Sequence, residues 1–164
     1  MTSARNVIQD AGLREFIAGG VSILVASCDR DRKPVVARAC GCIAGTDGLV
    51  TILVPGVRAQ VLLDAVTVTG AVAVVFSEPA THRSIQIKAD GASVLLADPG
   101  WDAVCDRYRR AFAGELERLG YSARMARRLV DDEAGQASGI RFTPAAIFDQ
   151  TPGPRAGDPI EVAG

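Results

Sequence analysis

Apolar residues alternate with smaller or more polar ones from Val21 to Cys28: Val21, Ile23 and Val25 fall on one side, Ser22, Leu24 and Ala26 on the other. A period of two predicts a β-strand. The charged run Asp29–Lys33 reads as a turn, and Pro34 opens a second strand, residues 35–43, at a position where proline is tolerated. Gly45-Thr46-Asp47-Gly48 is a further turn, followed by a third strand over 49–54. Short polar connections of this kind join antiparallel neighbours. Pro55-Gly56 then ends the meander, and Val57, Val61, Leu62 and Ala65 take helical spacing, which predicts a helix over 57–66 with Arg58 in its first turn. The Val- and Thr-rich stretch 67–77 predicts a fourth strand. The alternation of Arg83, Ile85 and Ile87 with Ser84, Gln86 and Lys88 predicts a fifth over 82–88. Asp90-Gly91 is then either a hairpin turn or a bulge in one long strand that runs on to Leu96.

Helical signals lie at both ends of this β region. Ile8, Ala11, Phe16 and Ile17 give residues 5–18 a loose apolar stripe, weakened by Gly12 and stopped at Gly19-Gly20. Asp98 and Pro99 suit a helix start. Beyond them Trp101, Val104, Cys105, Tyr108, Phe112, Leu116 and Leu119 line one face, the strongest periodic signal in the chain. Gly120 ends that helix, and Ser122 caps another with Met125, Ala126, Leu129 and Val130 directed inward. Residues 140–148 predict a last strand, interrupted at Pro144, and the Pro- and Gly-rich tail from Thr151 is extended. The resulting order, β-β-β-α-β-β-α-α-β, is mainly β with flanking helices, and its six antiparallel strands fit a closed or split barrel. The absence of an alternating βαβ series argues against a Rossmann sheet. One domain is expected over 1–164, with its core at 18–97 and 139–149 and a helical segment at 98–133.

Composition narrows the functional classes. A formal net charge of −1 argues against nucleic acid as a partner. The longest apolar stretch, 65–76, is broken by Thr67, Thr69 and Gly70 and is too short for a membrane span. The polar N-terminus lacks the apolar core of a signal peptide, so the expected location is cytoplasmic. The single histidine, His82, leaves no multi-histidine metal site within one chain. Among the four cysteines, Cys40 and Cys42 are spaced C-x-C, which in a strand puts both on one face; without a second such knuckle they read as small buried thiols rather than zinc ligands. No G-x-S-x-G, HExxH or phosphate-loop motif occurs.

The remaining candidates are cations and polar groups on β-elements. Arg38 interrupts an apolar run, and its partner is a carboxylate of the chain, a carboxylate across an interface, or a ligand phosphate. Arg58 follows the Pro55-Gly56 break at a helix start, where free amides and a guanidinium favour an anion or where the side chain is merely solvated. Ser84, Gln86 and Lys88 share one strand face and offer hydroxyl, amide and ammonium groups to a polar ring or to water. Trp101 reads as core.

Several segments taken in order resemble one known family: Pro34-Val35-Val36-Ala37-Arg38, Leu49–Val54, Gly56-Val57-Arg58-Ala59-Gln60, Ala73–Phe76 and His82–Lys88. The series is similar to the pyridoxamine 5'-phosphate oxidase-like, FMN-binding split-barrel proteins across residues 18–97. The resemblance implies a six-stranded split barrel that forms a homodimer, with FMN and a small-molecule substrate held in two sites at the subunit interface. It implies phosphate binding by Arg38 and Arg58, proximity of Thr51 and Ile52 to the flavin, and Gln86 at the ring edge, with Lys88 on the same face. Three departures stand beside it. Ala59 replaces a lysine that many members carry, 39–43 contains no cation, and the C-terminal stretch 148–155 lacks the Trp- and Arg-bearing signature of the true oxidases. The chain is therefore expected to be a flavoprotein oxidoreductase other than a pyridoxamine 5'-phosphate oxidase. The alternatives are a barrel dimer that has lost flavin and acts as a binding, sensor or interaction module, and a haem-binding member with His82 as the ligand.

Overall fold

The alternation of Ile23 and Val25 with Leu24 and Ala26 sets the fold, because it gives the first strand one fully buried face and one that the chain leaves open. In a computed structural model, which describes residues 4–130 and 136–161, two short helices lead into this strand: α1 (Ala4–Ile8) and α2 (Ala11–Ile17). They break where the Asp10 carboxylate accepts a hydrogen bond from the Leu13 N–H at 2.8 Å and caps α2. The strands β1 (Ser22–Cys28), β2 (Pro34–Arg38), β3 (Gly41–Ala44) and β4 (Val50–Pro55) follow, then α3 (Gln60–Thr69). Beyond it come β5 (Val72–Ser77), β6 (Ser84–Ala89), β7 (Ser93–Leu95), α4 (Trp101–Arg118), α5 (Ala123–Val130), β8 (Ala137–Phe142) and β9 (Ala146–Asp149).

These strands form two antiparallel sheets, one of five strands in the order β2-β1-β5-β6-β9 and one of four in the order β3-β4-β8-β7. The arrangement is mainly β with flanking helices, and the sheets do not close into one barrel. Ile23, Val25, Val74, Phe76 and Ile87 from the larger sheet meet Ile52, Ile140 and Phe142 from the smaller one in the main core. A second cluster, with Leu53, Trp101, Cys105 and Ala137, fills the space between α4 and the smaller sheet.

Nine described strands replace the expected six, and the main reason is that strands change sheets. Residues 35–43 do not run on as one strand: β2 leaves the larger sheet at Arg38, the chain bends at Ala39-Cys40, and β3 joins the smaller sheet. Cys40 and Cys42 consequently do not share a face; Cys42 enters the main core and Cys40 the second cluster. The segment 140–148 divides likewise at its proline into β8 and β9, in different sheets. Gly91, at φ +83°, turns the chain from β6 to β7, also across the sheets, so Asp90-Gly91 is neither a two-residue hairpin nor a bulge in one strand.

The third helix starts three residues later than the helix expected over 57–66, leaving Arg58 in the preceding turn. It also continues through Thr69 to Gly70, at φ +67°. The Thr67 and Thr69 hydroxyls donate to the Leu63 and Ala65 carbonyls, so residues that favour strands are absorbed into a helix whose Leu62, Leu63 and Val66 are buried. The long helix begins at Trp101, with Asp98 accepting from the Gly100 N–H. Ser122 does cap α5, accepting from the Met125 N–H at 3.3 Å. Among the described side chains of α5 only Ala126 is buried, whereas Met125 and Leu129 are exposed. The Val130 side chain and the last part of the expected helical segment, 131–133, lie outside the described residues.

Candidate functional site

Strand register lines up two rows of side chains across the outer face of the five-stranded sheet. Arg38 pairs with Leu24, Leu24 with Val75, Val75 with Gln86, and Gln86 with Phe148. The adjacent row runs Val36, Ala26, Ala73, Lys88, Ala146. Directly paired residues point to the same face. Opposite this face the same strands bury Ile23, Val25, Val74, Phe76 and Ile87. No described helix covers the outer face: Val36 is 60% exposed and Leu24 45% exposed. Single exposed apolar residues are ordinary, whereas a contiguous apolar face framed by polar groups marks a binding or association surface.

Three of the residues singled out in the sequence therefore share this surface. Arg38 is exposed and ends β2; it donates to the Ser22 hydroxyl at 3.3 Å and lies 5.3 Å from the centre of the Phe112 ring. Its partners are thus a hydroxyl and an aromatic face, and among the described residues no carboxylate pairs with it. Gln86 is half-buried, and its carbonyl oxygen accepts from the Gln150 amide at 3.4 Å. Lys88 holds its ammonium 5.2 Å from the Phe148 ring centre. A cleft of about 460 Å³ opens beside it, lined by Ala26, Cys28, Ala73, Asp90 and Ala146 among others. Three strand spacings separate Arg38 from Gln86, about 14 Å at the backbone. An elongated ligand with an anionic end and a polar ring fits that separation better than a compact one.

The other candidates are elsewhere. Thr51 and Ile52 lie on β4 in the smaller sheet, both buried. Ile52 is wholly within the main core, and the Thr51 hydroxyl accepts from the Arg141 Nε at 3.3 Å. Arg58 is exposed in the turn before α3. His82 is exposed on the turn before β6, at φ +62°, where its carbonyl accepts from the Ser84 hydroxyl. The sequence reasoning missed Phe148 and Phe112 as aromatic companions of the two cations. Phe148 was visible as the outward residue beside Ile147, but its strand partner was not. Tyr108 borders the Arg38 end, where burial pushes its hydroxyl up to about 12 while Arg38 pulls the other way.

No protein-family model matches this sequence, and no curated protein sequence matches it either. Solved structures do match its shape. The Group A Streptococcus protein HupZ superposes with a TM-score of 0.53 at 11% identity, over 90% of this chain and 98% of that one. An F420 reductase gives 0.53 at 14% identity, over 82% and 94%. A putative pyridoxamine 5'-phosphate oxidase from Lactobacillus delbrueckii gives 0.51 at 15% identity, over 90% and 99%. The chain has the pyridoxamine 5'-phosphate oxidase-like split-barrel fold. In this split barrel the candidate surface is the outer face of the five-stranded sheet. Among the described residues no helix is long and apolar enough to cross a membrane, and no group of three or more His, Cys, Asp or Glu is placed to hold a metal ion.

Proposed function

We propose that this split barrel is an FMN-binding flavoprotein, an oxidoreductase for a small-molecule substrate, that works as a homodimer joined through the outer face of its five-stranded sheet. The observation that carries the reading is the row from Arg38 to Gln86 and Phe148, on an apolar face that the chain itself leaves open. A second copy laid on Leu24, Val36 and Val75 would remove that surface from water and enclose a ligand between the copies. The donor set suits the cofactor: Arg38 offers a guanidinium fork to a phosphate, Gln86 offers an amide to the ring edge, and Lys88 adds positive charge on the adjacent row. Arg58 would be the second phosphate cation, supplied from the turn before α3. FMN, when bound, supplies the electron-transfer chemistry, and the protein's part is to bind, orient and exclude water. The missing lysine at Ala59 and the different C-terminal stretch support a reaction other than pyridoxal phosphate synthesis.

A flavin titration of the purified protein tests the reading, followed by visible absorption and fluorescence quenching. Saturation at one FMN per subunit, weakened in Arg38→Ala and Arg58→Ala, is expected. Binding unchanged in both variants would overturn the phosphate assignment. No binding at high micromolar FMN would make this a barrel that associates or senses without flavin. A parallel haem titration with wild type and His82→Ala reads the haem alternative, and a Soret band dependent on His82 would favour it.

A further inference from the structure

Cys40 and Cys105 bring their sulfur atoms to 3.6 Å of one another across the second cluster, although 65 positions separate them in sequence. Cys40 sits at the bend where β2 gives way to β3, its backbone N–H donating to the Leu53 carbonyl at 2.8 Å and its thiol to the same oxygen at 3.4 Å. Cys105 lies one turn into α4, beyond Trp101. Both thiols are buried, yet Cys40 also borders a crevice of about 20 Å³ between Arg38, Tyr108, Arg109, Phe112 and Leu129. Closing the sulfurs from 3.6 Å to bonding distance needs a movement of roughly 1.5 Å.

We infer that Cys40 and Cys105 are a redox-active dithiol, which a small peroxide entering the crevice converts to a disulfide that fastens α4 to the β2–β3 bend. The inference is independent of any flavin. In the first step the Cys40 sulfur attacks a peroxide oxygen; the O–O bond breaks, the Cys40 proton leaves with the departing oxygen as water, and a sulfenic acid remains. In the second, the Cys105 thiolate attacks the Cys40 sulfur; the S–S bond forms, the S–O bond breaks, and hydroxide takes up the proton that Cys105 released. Two thiols and one hydrogen peroxide thus give one disulfide and two waters. Its contact with Cys40 and the nearby Arg109 guanidinium hold the Cys105 thiol below its ordinary pKa, against burial, Asp102 and Asp106, which favours the thiolate that the second step uses. Cys42, sealed in the main core, has no such neighbour, and Cys28 lies on β1 in the other sheet.

The test treats the full chain with equimolar hydrogen peroxide, alkylates what remains with N-ethylmaleimide, and maps the non-reduced digest by tandem mass spectrometry. Fragmentation must separate Cys40 from Cys42, which share a tryptic peptide. The expected product is a Cys40–Cys105 cross-link, reversed by dithiothreitol and unchanged in Cys28→Ser. In Cys105→Ser, Cys40 should instead accumulate as a sulfenic acid trapped by dimedone. Recovery of both cysteines as alkylated thiols after unfolding, a disulfide through Cys28 or Cys42, or over-oxidation without a cross-link would each overturn the inference. If Cys105→Ser does not fold, the wild-type map decides alone.

Discussion

The Arg38 guanidinium lies 5.3 Å from the centre of the Phe112 ring, so a candidate ligand cation at the end of β2 is held by the long helix α4. This contact, with the Ser22 hydroxyl, restricts an otherwise exposed side chain and holds its charge at one end of the row leading to Gln86. Hydrogen bonds to charged groups are worth about 1.5–3 kcal/mol. Arg38→Ala should therefore weaken FMN binding by roughly 10- to 100-fold. Its thermal stability should change little, since the side chain is on the surface. Arg38→Lys should recover only part of the affinity, because an ammonium lacks the two-pronged fork. Isothermal titration of the three proteins measures this.

Trp101 fixes the N-terminal end of α4. A Cβ built on Gly139 would lie 2.6 Å from the Trp101 ring and 3.3 Å from the Thr51 methyl. Glycine is thus needed in the middle of β8 so that the indole can lie against the smaller sheet. Gly139→Ala should cost about 1–3 kcal/mol by overpacking. Thermal unfolding should show a midpoint several degrees lower, and Trp101→Phe in the same background should restore part of the loss.

Acid stability should have a contribution from Asp149. The Thr151 side chain, and its backbone N–H donating at 2.8 Å, hold the Asp149 carboxyl below its ordinary value of 3.8. A carboxyl depressed in the folded state stabilises the fold above its unfolded value, and the gain is lost as pH falls through the folded one. The stability difference between wild type and Asp149→Asn should be constant at neutral pH and shrink below about pH 4. Urea unfolding across that range measures it; a difference independent of pH would show that the carboxylate charge is not what matters.

Thiol reactivity should rank by burial. Cys28 is half-buried at the end of β1, whereas burial pushes the Cys42 thiol up to about 12. Under native conditions iodoacetamide should modify Cys28 readily and Cys42 only after unfolding, because the thiolate is the nucleophile. Time-resolved labelling with peptide mapping reads both rates.

The alternations in β1 and β6 and the apolar stripe of α4 were legible from residue spacing, since period alone carries them. The placing of Gln86 and Lys88 on one face followed directly. What spacing did not carry was the change of sheet. Ala39-Cys40 looks like the continuation of a strand and Pro144 like an interruption within one, and only tertiary pairing sends β3 and β8 to the second sheet. Hence spacing did not show that Thr51 and Ile52, expected near the flavin, lie in the smaller sheet, with Ile52 in the core. Thr67 and Thr69 misled for a similar reason, because their hydroxyls bond within a helix whose buried face outweighs strand preference. The approach of Cys105 to Cys40 spans 65 positions and left no local trace.

The central claim is that the outer face of the five-stranded sheet is at once a subunit interface and a flavin site. Sedimentation velocity followed at the flavin absorption tests both at once. For a chain of 17.1 kDa, FMN should sediment with a species of twice that mass. Val36→Glu, which puts a charge on the most exposed apolar residue of this face, on its edge strand, should give a monomer that leaves the flavin behind. Flavin that sediments with a monomer, or a Val36→Glu protein still dimeric and still carrying FMN, would contradict the account.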